Sequence, residues 1–84
     1  MGCYDLTVPT VLRQEGYDIV IRSNDHEPAH VHVFEGDGEA KINLDPVELK
    51  QVWNMKSQVA RKAKSIVSEN REFLLQRWKD IHGR

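Results

Sequence analysis

Three of the chain's four histidines fall within seven residues, in the run His26-Glu27-Pro28-Ala29-His30-Val31-His32-Val33. Imidazole has the unperturbed pKa nearest neutrality, so it can give or take a proton under ordinary conditions, and its neutral form is a common metal ligand. His30 and His32 are two residues apart in a Val-flanked segment. Side chains alternate across a strand, so both rings are expected on one face. Two chemistries follow. Transesterification of RNA needs a base for the 2′-hydroxyl, an acid for the leaving 5′-oxygen and a cation beside the phosphorane. His30 and His32 can supply the first two, with Glu39 as a further base, and Lys41 with Arg13 or Arg22 can supply the third without any metal. Alternatively, His26, His30 and His32 can bind Zn²⁺, since three ligands with an open position define a catalytic zinc site, and Asp25 or Glu39 can complete or orient the set. The plainer alternative is an open, solvated sheet face.

A sheet must position these residues. Val11–Gln14 and Tyr17–Arg22 read as strands joined at Glu15-Gly16, a short turn signal. Ser23–Pro28 has the composition of a connecting loop, and Pro28 cannot donate to a central ladder. His30–Glu35 and Gly38–Leu44 form a second hairpin around Gly36-Asp37, which sets Phe34 opposite Glu39. His32 then pairs with Lys41 and His30 with Asn43 on a polar, exposed face, while Val31, Val33, Ala40, Ile42 and Leu44 form a core face. Asp45-Pro46 reads as the start of a short helical turn, with Asp45 as N-cap.

From about Lys56 to His82, Val59, Ala63, Ile66, Val67, Phe73, Leu74, Trp78 and Ile81 recur at three- and four-residue steps, as on a helix packed against a sheet. Gly83 supplies a stop. A helix of about 27 residues would reach ~40 Å at 1.5 Å per residue, longer than a four-strand sheet needs. Either it breaks near Ser68-Glu69-Asn70 or its end docks on another chain. Arg61, Lys64, Arg71 and Lys79 lie along one side of it, with Ser68 between them, a strip able to follow a phosphate backbone or to remain a solvated flank. Trp53 and Trp78 are assigned to the core, and His82 to the helix-end dipole or solvent.

The chain's 84 residues allow one small domain, and 39% apolar with 30% charged residues is ordinary globular composition. Its single cysteine, Cys3, excludes a disulfide scaffold and fits a reducing compartment. No apolar run approaches a membrane span and no signal-peptide pattern is seen, so a cytoplasmic location is expected. Residues 1–49 carry three Lys/Arg against ten Asp/Glu, and residues 50–84 carry nine against three. Such asymmetry suits a basic surface meeting nucleic acid or an acidic protein, or two halves that attract each other.

Pro9-Thr10-Val11-Leu12-Arg13, Gly16-Tyr17, Ser23-Asn24, the His26–Val33 run, Gly38-Glu39-Ala40 and Glu69-Asn70-Arg71 resemble the bacterial family called domain of unknown function 4160. The resemblance runs from Pro9 onward and leaves residues 1–8 as an N-terminal extension, expected to be poorly ordered, before a single domain over 9–84. Members of that family are frequently encoded beside another small domain of unknown function, in pairs suggestive of toxin–antitoxin modules. The resemblance thus implies a protein partner encoded nearby and assigns no reaction.

Taken together, these readings predict an α+β domain with an antiparallel sheet of about four strands, one face packed by a long C-terminal helix. The expected function is that of a toxin–antitoxin-type component that binds or cleaves RNA through His30, His32, Lys41, Glu39 and Arg13, with Arg61, Lys64, Arg71 and Lys79 as nucleic-acid contacts. No cofactor is required unless Zn²⁺ is bound. The alternative is a protein-interaction module, including a homodimer, which a small core and an overlong helix would favour.

Overall fold

In a computed structural model that describes residues 10–83, both turn signals close hairpins. Between β1 (Thr10–Gln14) and β2 (Tyr17–Val20), Glu15 and Gly16 take φ of 54° and 84°, the two positive values a type I′ turn requires. Between β3 (His30–Glu35) and β4 (Gly38–Leu44), Gly36 supplies φ of 57° at the first central position of a two-residue turn. The register is the one expected: Phe34 faces Glu39, His32 faces Lys41 and His30 faces Asn43.

Among the described residues the sheet has five strands, not four. Asp45-Pro46 forms a turn into β5 (Val47–Trp53), which pairs antiparallel with β4, so the expected helical turn is not formed. Asp-Pro is a turn initiator as well as a helix-start signal, and here the free edge of β4 decides between them. The strands run in sequence order, β1-β2-β3-β4-β5.

The long helical segment breaks where its length made a break plausible, giving α1 (Ser57–Glu69) and α2 (Arg71–His82). Asn70 makes the junction. Its backbone N–H donates to the Ile66 and Val67 carbonyls, its side-chain amide donates to the Ile66 carbonyl and to Gln14 Oε1, and its own carbonyl accepts from the Leu74 N–H. Helical pairing therefore stops and restarts at one residue.

Ile19, Ile21, Val31, Val33, Ala40, Ile42 and Leu44 pack against Ala63, Ile66, Val67 and Leu74 in a single core. Apart from Phe73, which is 47% exposed, the apolar stripe of the helices thus meets the aliphatic sheet face, as amphipathic elements must. Trp78 belongs to this core, whereas Trp53, expected there too, is 43% exposed at the end of edge strand β5. No helix among the described residues is long and apolar enough to cross a membrane. Cys3 and the proposed extension over residues 1–8 lie outside the described residues.

Candidate functional site

The polar face of β3 and β4 is not the open surface the alternation suggested. His30 and His32 are only 6% and 7% exposed. The segment between β2 and β3 folds over them and brings Asp25 onto both rings. This loop is fixed at three places: the Asp25 N–H donates to the Arg22 carbonyl, the Leu44 N–H donates to the Ala29 carbonyl, and His82 Nε2 lies 3.1 Å from the Asp25 carbonyl oxygen. Trp78 closes the side, its ring 5.3 Å from His30 and stacked at 3.8 Å on His82.

Each imidazole has both nitrogens engaged. His30 places Nδ1 2.8 Å from the Pro28 carbonyl oxygen and Nε2 3.2 Å from Asp25 Oδ2. His32 places Nε2 3.2 Å from the same Asp25 oxygen and Nδ1 3.1 Å from Glu39 Oε2. Burial holds the His32 pKa below its ordinary value and the Arg22 guanidinium adds to this, while Glu39 and Asp25 act in the opposite sense. A buried ring loses water that would solvate its charge, and here the nearby carboxylates do not fully make up the loss.

Above this floor is a cleft of about 370 Å³, whose walls include His26, Glu27, Lys41, Gln51 and Trp53. The cross-strand register aligns His32, Lys41 and Gln51 in one row and places Trp53 beside Glu39, because residues directly opposite in a ladder share a face. Asp25, His30 and His32 form a potential cation-binding group, with ligand atoms all within 4.8 Å of one another. His26 is exposed and lines the cleft but is not a member of that group.

The remaining candidates are dispersed. Arg13 pairs with Asp18 at 3.3 Å near the β1 edge and is not among the cleft walls. Arg22 lies over the Phe34 ring, 5.9 Å from its centroid. Arg61 and Lys64 are exposed on α1, which covers the aliphatic face, so they sit across the sheet from the cleft. Arg71 directs its guanidinium to the Leu44 carbonyl at 2.9 Å and to Asp45 at 2.8 Å. Lys79 lines a second cavity of about 500 Å³ with Leu75, Trp78 and His82.

Trp53 and Gln51 were not expected at the cleft, and only the register of the unforeseen β5 could have placed them there. His82 reaches Asp25 through the helix break, which no local spacing encodes.

No curated protein and no solved structure matches the chain. A comparison with protein families matches residues 16–79 to one described as Domain of unknown function (DUF4160). That span contains the loop, both buried histidines and every residue of the cleft wall. Covering more than half of the sequence, it shows that the chain belongs to the DUF4160 family.

Proposed function

We propose that the chain is a toxin–antitoxin-type component that binds or cleaves RNA in the cleft above His30 and His32. The observation that carries this reading is the convergence of a buried imidazole pair, the Lys41 ammonium and the exposed Trp53 indole on one cleft. Lys41 offers a counter-charge to a phosphate, and Trp53 offers a flat surface on which an unpaired base can stack. Gln51 adds an amide able to read a base edge or ribose hydroxyl. His30 and His32, with Glu39 beside them, are the groups assigned to the 2′-hydroxyl and the departing oxygen, each acting once a nitrogen is released from its present partner. Arg61 and Lys64, across the sheet, serve a second stretch of strand or a protein partner.

Binding and cleavage of a labelled single-stranded RNA test this directly. Trp53→Ala should weaken binding by about 1–3 kcal/mol, the usual worth of one base–aromatic stack. Lys41→Ala should weaken it and lower the salt slope by ~0.7, the loss of one single-strand phosphate contact. A wild-type protein that neither binds nor cuts RNA would end the proposal.

A further inference from the structure

We propose that Asp25, His30 and His32 bind one divalent transition cation of the zinc class at the floor of the cleft. Both Nε2 atoms stand 3.2 Å from a single oxygen, Asp25 Oδ2. Two ligands held about 2.0–2.1 Å from a tetrahedral ion are themselves ~3.3–3.4 Å apart, so these two separations are near those of a ligand set, and with all three ligand atoms within 4.8 Å of one another a small approach of the two rings completes it.

Protonation logic leads to the same place. A carbonyl oxygen only accepts, so the 2.8 Å contact to Pro28 puts the hydrogen of His30 on Nδ1. His32 sits between two carboxylates, Glu39 at Nδ1 and Asp25 at Nε2, so its neutral ring can donate to only one of them. With neutral rings, His30 turns its Nε2 lone pair toward Asp25 Oδ2, and His32 leaves a lone pair facing one of its two carboxylates. The two rings stand close together, with centroids 5.2 Å apart. A single divalent ion satisfies all three groups at once. The outer partners are also those of metal-bound histidines, a backbone carbonyl on one ring and a carboxylate on the other.

Two imidazoles and one carboxylate suit Zn²⁺ and its first-row neighbours better than Mg²⁺ or Ca²⁺, which favour all-oxygen sets. Three protein ligands would leave a fourth position for water or a phosphate oxygen, and the cleft beside them is lined by Lys41 and His26. The site does not depend on RNA being the substrate. If RNA is cut here, His30 and His32 would hold the ion rather than move protons, and the ion would supply charge stabilisation at the phosphate and a bound water able to act as base.

The test uses full-length protein without a histidine tag, stripped with EDTA, dialysed and titrated with ZnCl₂ by calorimetry, with metal content measured by emission spectroscopy. One zinc per chain is expected. Asp25→Asn should weaken binding at least tenfold, and Glu39→Gln, which touches only the outer nitrogen of His32, should do so by about 10- to 100-fold. His30→Ala should abolish stoichiometric binding, and His26→Ala should leave it unchanged. Circular dichroism checks that each variant is folded; if His30→Ala is not, the wild type and Asp25→Asn decide. Sub-stoichiometric zinc in the wild type, full affinity in Asp25→Asn, or loss of binding in His26→Ala would overturn the assignment.

Discussion

Gly38 is the first residue of β4, next to Glu39, and its missing side chain sets how closely the chain beyond β5 can cross it. A Cβ at this position would lie 2.6 Å from the Asn54 carbonyl oxygen and 3.0 Å from Met55 Cβ. The first is a backbone atom and cannot swing away. Asn54 is itself at φ 52°, a left-handed conformation that Asn tolerates better than most residues. Gly38→Ala is therefore expected to destabilise the fold by about 1–3 kcal/mol, as forced overpacking does, and to lower the melting temperature by ~4–8 °C per kcal/mol. Asn54→Gly, which relaxes the strained φ, should cost little. Thermal and denaturant melts of the two variants check this, and equal losses would show that the crossing is not tight. The glycine was legible in the sequence as a turn residue, but its close approach was not, because that depends on the path of the chain as it leaves the next strand, β5. Asp25 is a similar case. Its carboxylate could be named as one possible completion of a histidine set, yet the loop path that seats it on both rings is carried by non-repeating contacts to Arg22, Leu44 and His82.

Strand β5 and the helix break show which elements strict patterning can reveal. The β3–β4 hairpin was readable to the residue because a two-residue glycine turn fixes the register and every second side chain is apolar. In β5 the burial pattern after Leu49 is exposed on both faces, so alternation gave no signal, and the Asp45-Pro46 pair suited a helix start as well as a turn. The break at Asn70 was legible only as excess length. Arg71, one residue further, now joins the elements that the break separates: its guanidinium donates to the Leu44 carbonyl and to Asp45 at the β4–β5 turn. Arg71→Ala should leave that carbonyl less well satisfied and cost about 1–2 kcal/mol of stability, while hardly changing RNA affinity. Arg71→Lys should recover only part of the loss, since an ammonium cannot span both acceptors as a planar fork does. Urea melts beside RNA-binding curves separate the two effects; an RNA-binding defect with normal stability would instead return Arg71 to the nucleic-acid surface.

At the scale of the molecule, the acidic sheet half and the basic helix half meet in Lys62–Glu15 at 2.9 Å and Arg71–Asp45 at 2.8 Å. Such exposed pairs are screened by water and salt and add little, so charge asymmetry bears on the orientation of the halves more than on their stability. The same asymmetry bears on the cleft, which lies on the acidic side. Its walls and floor contribute Asp25 and Glu27 against Lys41, and a phosphate entering there meets more negative charge than positive. A divalent ion on Asp25, His30 and His32 reverses that balance, so the two proposals are linked by electrostatics and RNA affinity should depend on the cation. At fixed ionic strength, fluorescence anisotropy with a labelled single strand is expected to show at least tenfold tighter binding with zinc than with EDTA, a difference of ~1.4 kcal/mol. Asp25→Asn should behave differently: with one carboxylate neutralised and the ion weakly held, its affinity in EDTA should equal or exceed that of the wild type in EDTA, and sub-stoichiometric zinc should add little. Wild-type affinity indifferent to chelation would separate the two ideas, leaving RNA, if bound, to be held by Lys41 and Trp53 without help from the metal site.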